Sequence, residues 1–68
     1  MKTISGKRMC NLLESKGWIL ARVAGSHHIF VRSDCNLRIT VPVHGNQDLK
    51  GGLQRAIMKL AGIAEEDL

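Results

Sequence analysis

Aromatic side chains are scarce in this chain of 68 residues, which has one tryptophan, one phenylalanine and no tyrosine. Aliphatic side chains must therefore supply most of the buried apolar area. Two cysteines, Cys10 and Cys35, allow at most one disulfide, which is too few for the framework of a small secreted domain. No apolar run has the length of a transmembrane helix, and none follows Lys2 as a signal peptide would require. These shortages predict one small globular domain, residues 1–68, with reduced thiols in the cytoplasm.

Acidic side chains are also few, since ten Lys and Arg residues outnumber six Asp and Glu, for a formal charge of +4. Three of the acids are the neighbouring Glu65, Glu66 and Asp67 near the C-terminus. Residues 1–64 therefore hold ten basic groups against three acidic ones, a net charge of +7. A basic body of this size predicts an anionic partner, and nucleic acid is the leading class. The alternative is a solvated surface without a specific partner.

A short amphipathic helix is predicted over residues 5–16. Ser5 is a suitable N-cap, because its hydroxyl can accept a hydrogen bond from a free N–H of the first turn. The apolar stripe has i, i+3, i+4 spacing and consists of Met9, Leu12 and Leu13. Gly17 is expected to end the helix in the left-handed conformation, which lets Trp18 fold back onto Leu13.

Three strands are predicted over residues 18–23, 28–33 and 37–43. The third has the clearest alternation, in which one set of side chains faces a core and the other faces solvent. The core set is Leu37, Ile39, Val41 and Val43, and the solvent set is Arg38, Thr40, Pro42 and His44. Pro42 lacks a backbone donor, so this strand is expected at an edge of the sheet or to leave the ladder there. Polar turns at 24–26 and 33–36 join the strands as hairpins.

A second helix is predicted to begin between Asp48 and Leu53 and to end at Gly62. Its apolar face is expected to consist of Leu53, Ala56, Ile57, Leu60 and Ala61. The predicted order is α-β-β-β-α. A three-stranded antiparallel sheet would offer one face to both helices, which makes a two-layer α+β domain.

The three histidines, His27, His28 and His44, are the side chains best suited to chemistry. The first two follow a glycine turn at the start of a strand, and imidazole titrates close to neutral pH. If the second and third strands pair across the 33–37 turn, opposed residues have numbers that sum to about 69–71. His44 is then near His27 in most registers and directly opposite it at the highest sum.

Three interpretations of these histidines stay open. They could be ordinary polar residues at strand ends, or they could bind a metal together with Cys35 or Asp34, although their spacing matches no known ligand motif. In the third, one imidazole is a general acid or base at a phosphate ester, and Arg22 and Lys50 hold the negative charge. This third interpretation suits RNA, whose 2′-hydroxyl is an internal nucleophile, and the shortage of carboxylates favours a reaction without metal or cofactor.

Several short motifs follow one another along almost the whole chain. They are Lys16-Gly17-Trp18, Arg22-Val23-Ala24-Gly25-Ser26-His27-His28-Ile29-Phe30, Ile39-Thr40-Val41-Pro42-Val43-His44, Leu49-Lys50-Gly51-Gly52-Leu53, Ile57 and Ala61-Gly62-Ile63. In this order and at this chain length, the motifs resemble those of a known family, the HicA-type (YcfA-like) toxins of bacterial toxin–antitoxin systems. One departure is Gly51-Gly52-Leu53, where the family often has Gly-Thr-Leu. This difference concerns the residue at which the second helix begins.

The resemblance implies a double-stranded-RNA-binding-like fold and an mRNA interferase that inhibits translation and growth until a HicB-type antitoxin neutralises it. The family's catalytic histidine corresponds to His27. His28 and His44 are auxiliary candidates, and His44 matches a second recurrent family histidine. Ser26, within the Gly-Ser-His turn, joins Arg22 and Lys50 as a candidate RNA contact.

Two rivals of other functional classes share this sequence pattern. A non-catalytic RNA-binding module of the same fold would bind duplex shape and phosphates without cutting RNA. A protein-interaction subunit would use the basic surface to dock an acidic partner. Cleavage of RNA distinguishes the enzyme from the first, and an acidic antitoxin encoded beside the gene would favour the toxin.

Overall fold

The elements of the computed structural model follow the order α-β-β-β-α. Residues 2–68 are described, and Met1, the first residue of the predicted domain, lies outside the described residues. The elements are α1 Gly6–Ser15, β1 Ile19–Ala24, β2 His27–Val31, β3 Arg38–Pro42, α2 Gly51–Ala61 and a 3₁₀ helix Glu65–Asp67. The strands form one antiparallel sheet in the order β1-β2-β3, which confirms the predicted α+β class. None of the helices within residues 2–68 has the length and apolar content to cross a membrane.

Both ends of α1 have the predicted capping residues. The Ser5 hydroxyl accepts a hydrogen bond from the Arg8 amide at 3.1 Å. At the other end, Gly17 has φ +94°, and the Trp18 amide donates to the Leu13 carbonyl at 3.0 Å. This is the pattern of a Schellman motif, which allows the chain to reverse and brings Trp18 into the core.

The core lies between the helices and one face of the sheet. Phe30 pairs with Ile39, and both side chains are buried on the helix-facing side together with Val41. The helices contribute Met9, Leu12, Leu13, Ile57, Met58 and Ala61. The opposite face of the sheet has no covering layer within residues 2–68, and we call it the open face. Its rows of paired residues are Ala24–His27–Pro42, Arg22–Ile29–Thr40 and Ile19–Val31–Arg38.

The buried face of α2 differs from the predicted one. Its buried positions are Gln54, Ile57, Met58 and Ala61. The prediction was therefore wrong for Leu53, Ala56 and Leu60, which are exposed. The buried face is therefore shifted by about one residue from the face that hydrophobicity selects, and it includes the side chain of Gln54.

Gln54 is fully buried and holds the N-terminal segment against α2. Its Oε1 accepts from the Ile4 amide at 2.9 Å, and its Nε2 donates to the Lys2 carbonyl at 2.7 Å. The Thr3 hydroxyl donates to Asp48 Oδ2 at 2.9 Å in the loop before α2. These hydrogen bonds compensate the cost of burying an amide and fix the loop that precedes the helix.

Leu37 was also predicted to face the core, and this was wrong. It is 48% exposed and lies outside β3. The last pair of the ladder is Val31 with Arg38, so Leu37 already belongs to the hairpin loop. The alternation of apolar residues in the sequence therefore begins one residue before the paired strand.

Both cysteines are free thiols, as predicted. Cys10 and Cys35 are half-buried and pack against the core. Burial raises the pKa of the Cys10 thiol, and the nearby Glu14 carboxylate adds to the effect. Cys10 is therefore a weakly reactive side chain that fills space at the edge of the core.

Candidate nucleic-acid interface and active site

A two-residue hairpin loop places His27 at the first position of β2. Gly25 has φ +61° and Ser26 does not have a positive φ, which is the sign pattern of a type II′ turn. The Ser26 carbonyl accepts a hydrogen bond from the Val43 amide at 2.7 Å. This bond extends the β2–β3 pairing past His27 and holds the turn against the third strand.

The register of the β2–β3 hairpin places Pro42 opposite His27. Paired residue numbers sum to 69 along the whole ladder, the lower end of the predicted range. The direct pair of His27 with His44 is therefore not formed. His44 follows two residues after Pro42, beyond the end of β3.

The two adjacent histidines lie on opposite faces of the sheet. His28 pairs with Val23 and with the buried Val41, so it belongs to the helix-facing side and is half-buried. His27 is exposed and belongs to the open face with Ala24 and Pro42. The alternation of a strand thus separates two side chains that the sequence places together.

A β-bulge places Arg22 on the same face as His27. Leu20 pairs with Phe30, but Arg22 pairs with Ile29, so Ala21 is an extra residue in β1. Without the bulge, Arg22 would oppose His28 on the helix-facing side. With it, Arg22 is the diagonal neighbour of His27, a separation of roughly 7–8 Å between Cα atoms in regular sheets. Bulges commonly redirect side chains in this way next to functional sites.

Arg38 is a further cation on the open face that the sequence interpretation did not select. It is exposed and pairs with Val31 in the row farthest from His27. The alternation of Arg38 with Ile39 along the third strand was the signal that could have identified it. Because β1, β2 and β3 contain no Asp or Glu, this face has positive charge only.

Two of the acidic side chains are paired with cations away from this face. Asp34 lies 3.1 Å from Arg32 in the β2–β3 turn, and Asp67 lies 3.2 Å from Lys16 after α1. The Arg32 guanidinium is 5.5 Å from the centroid of the Trp18 ring. These pairs leave Arg22 and Arg38 as the cations of the open face, where an anionic ligand would meet them.

His44 and Lys50 come together at a cavity next to this face. The cavity has a volume of about 270 Å³, and its walls include Pro42, His44, Gln47, Asp48, Lys50 and Leu53. Lys50 is exposed at the N-cap of α2, where its carbonyl accepts from the Gln54 amide at 2.9 Å. Pro42 lines the cavity and is also the residue opposite His27 in the sheet, so it connects the cavity to the open face.

The alternative metal set of His27, His28, His44 and Cys35 or Asp34 does not assemble. Among residues 2–68 there is no group of three or more His, Cys, Asp or Glu side chains that could hold a metal ion. The physical reason is visible in the register, since His27 and His28 lie on opposite faces and Cys35 lies at the far end of the hairpin.

Comparison with protein families identifies a family that covers most of the chain. A family model described as the HicA toxin of bacterial toxin–antitoxin matches residues 6–63. The chain belongs to the HicA toxin family. No curated protein matches it significantly. The HicA match runs from the first residue of α1 to Ile63 and contains every candidate site residue. This HicA chain is therefore the toxin of a toxin–antitoxin system, and membership implies an antitoxin as its partner.

Proposed function

We propose that this HicA toxin is an endoribonuclease, an mRNA interferase that cleaves RNA in the cytoplasm and so inhibits translation and growth. The observation that carries the proposal is the placement of His27 and Arg22 on one open sheet face. His27 is exposed at the start of β2, and the bulge at Ala21 turns Arg22 to its side. An acid–base group beside a cation is the minimal equipment for phosphodiester transfer.

The chemistry uses the nucleophile that RNA already contains. The ribose 2′-oxygen attacks the adjacent phosphorus, and its proton passes to a neutral His27 imidazole acting as general base. The bond from phosphorus to the 5′-oxygen breaks, and that oxygen takes a proton from water or from a protonated imidazole. The products are a 2′,3′-cyclic phosphate and a 5′-hydroxyl end. Arg22 stabilises the extra negative charge that develops on the phosphorane-like transition state.

This reaction needs neither a metal nor a cofactor, and the charge distribution suits it. Outside the C-terminal acids the chain has only Glu14, Asp34 and Asp48, and Asp34 is already paired with Arg32. The strands that form the open face bear only cations as charged side chains. Such a surface attracts the RNA backbone. The imidazole of His27 is then the group that accepts the proton as general base.

The remaining site residues have supporting parts in this proposal. Ser26 directly precedes His27, and its carbonyl accepts a hydrogen bond from the Val43 amide, which fixes the turn. Its hydroxyl can contact a phosphate oxygen. Lys50 and His44 bind RNA from the neighbouring cavity. His28, on the helix-facing side, has a packing role rather than a chemical one.

The test replaces each of the two adjacent histidines in turn. We expect His27→Ala to lower the rate of RNA cleavage by about 10²–10⁴-fold, the usual contribution of a general acid or base. His28→Ala is the matched variant, because it removes an identical side chain from the opposite face, and it should retain most of the activity. Cleavage of a labelled RNA, the chemistry of the new ends and growth arrest are measured together.

Circular dichroism of each variant shows whether it is folded. A folded His27→Ala protein that still cuts RNA and still arrests growth would show that the catalytic assignment is wrong. If the unmodified protein shifts RNA in a salt-dependent way but never shortens it, the chain is a non-catalytic RNA-binding module instead.

We further propose that the antitoxin partner is of the HicB type. An acidic protein surface would be attracted to the open face by the cations Arg22 and Arg38. Coexpression of the neighbouring antitoxin gene should relieve the growth arrest, and a complex that forms equally well with an Arg22→Ala, Arg38→Ala toxin would contradict this docking face.

A further inference from the structure

The cavity beside β3 contributes no group to the proposed cleavage step. It lies between the end of β3, the 44–50 loop and the first turn of α2. We propose that it binds one unpaired nucleobase of the RNA substrate and thereby gives the toxin base preference. This inference rests on the proposed function, because it assigns a subsite to the same RNA.

The size of the cavity suits a single base. Its volume of about 270 Å³ is far above the ~30 Å³ that one water occupies, so it is more than a packing defect. It lies just below the usual range of small-ligand pockets, roughly 300–1,000 Å³. A planar heterocycle fits this space, whereas a folded peptide or a duplex does not.

The walls combine apolar surfaces with a polar edge, as base recognition requires. Pro42 and Leu53 are apolar, and the His44 ring can stack on a base plane. Gln47 and Asp48 supply an amide and a carboxylate that can form hydrogen bonds with a base edge. The Asp48 carboxylate is already positioned by the Thr3 hydroxyl at 2.9 Å.

The exposure of the Leu53 side chain is a further argument that the cavity binds a ligand. This side chain lines the cavity and is 39% exposed, although the apolar pattern of α2 predicts a core residue there. A bound base would cover it. Its matched residue is Leu60, which is 49% exposed on the same helix and is not part of the cavity wall.

The position of the cavity fits a nucleotide next to the one that is cut. Pro42 forms a wall of the cavity and is also paired with His27 across the sheet. Lys50 lies at the same cavity and can hold the phosphate of the bound nucleotide. A single-stranded RNA can therefore run from the cavity over Pro42 to His27, with one base splayed out.

The experiment measures binding of a single-stranded RNA of about twelve nucleotides in which one abasic position is moved along the strand. The full-length His27→Ala protein is used so that the RNA stays intact, and binding is followed by fluorescence anisotropy. We expect one abasic position to weaken binding by about tenfold, the order of magnitude of a stacked base. Leu53→Trp, which fills the cavity, should abolish this penalty, whereas Leu60→Trp should keep it.

The outcomes separate this inference from the proposed function. An abasic penalty that persists unchanged in Leu53→Trp, or no sensitive position at all, overturns the nucleobase site even if the unmodified protein cleaves RNA. A penalty that Leu53→Trp removes supports the site even if the unmodified protein never cleaves. A protein that binds none of these RNAs overturns both.

Discussion

Gly6 is a point of close approach between α1 and the end of β3. A Cβ atom there would overlap the Pro42 carbonyl oxygen and crowd Val43 Cα at 3.2 Å. Because those neighbours are backbone atoms, they cannot rotate away as a side chain could. The absence of a side chain at Gly6 thus allows α1 to support Pro42, which in turn faces His27.

We expect Gly6→Ala to lower the free energy of unfolding by about 1–3 kcal/mol, the usual cost of overpacking. Gly51→Ala is the matched control, since it begins α2 with open space around the added methyl group. Alanine there should be neutral or stabilise by about 0.4–1 kcal/mol. Urea denaturation measures both. Equal stability of the two variants would contradict the close approach.

Single-residue signals were the part of the fold that the sequence predicted best. Ser5 and Gly17 act through hydrogen bonds with residues three to five positions away, so their roles follow from local sequence. The buried position of Gln54 could not be predicted from its sequence neighbours. Its partners, Ile4 and Lys2, are 50 and 52 residues away, and only the folded chain brings them near enough to compensate a buried amide.

At the scale of elements, the bulge in β1 decides which side chains share a face with His27. Arg22 belongs to the open face because Ala21 is an extra residue between the pairs Leu20–Phe30 and Arg22–Ile29. A one-residue change in register moves a side chain to the other face. The cation beside the catalytic candidate is therefore a consequence of strand geometry as much as of residue type.

Replacement of Arg22 tests that placement. We expect Arg22→Ala to weaken RNA binding and to lower the slope of log K against log salt by about 0.7–1, the value for one lost phosphate contact. Arg55→Ala is the control, because Arg55 is an exposed arginine of α2 in the other layer. A salt titration of each variant gives the slopes, and an equal loss in both would mean that only net charge matters.

The strands were predicted in kind and order, and the two faces were predicted for the third strand only. The third strand was assigned correctly at Ile39 and Val41, since its alternation is regular. The β2–β3 register stayed open between pair sums of 69 and 71, because the apolar periodicity of the two strands does not select one of these sums. The bulge at Ala21 could not be predicted, since Ile19, Leu20 and Val23 are apolar on whichever face they fall.

At the scale of the whole molecule, the C-terminal segment is fastened to the end of α1. Asp67 Oδ2 accepts from the Ala64 amide at 2.9 Å and lies 3.2 Å from Lys16 Nζ. Leu68 packs against the core beside it. Asp67 is thus paired with Lys16 at the end of α1, and its negative charge is not part of the open face.

This fastening should depend on pH. The Ala64 amide first, and then Lys16, lower the pKa of Asp67 below its ordinary value of 3.8. Its contribution to stability is therefore present above pH 3.8 and is lost as the pH falls through the lower folded-state value. We expect Asp67→Asn to melt below the unmodified protein at neutral pH and to match it in stronger acid. Melting curves across this range measure the difference, and a constant gap at every pH would contradict it.

The hydrogen bonds between the N-terminal segment and the region around α2 also bear on the order in which parts of the molecule fold. The hairpins that carry His27 and Arg22 are local and can form within roughly 1–10 μs. The loop that walls the cavity is held by partners 45–52 residues apart, from Lys2–Ile4 to Asp48 and Gln54. Contacts of such long range form slowly, and a chain made from its N-terminus must wait for them. A newly made chain would therefore form the hairpins that contain His27 and Arg22 early, and the cavity only after residues 48–54 have been made.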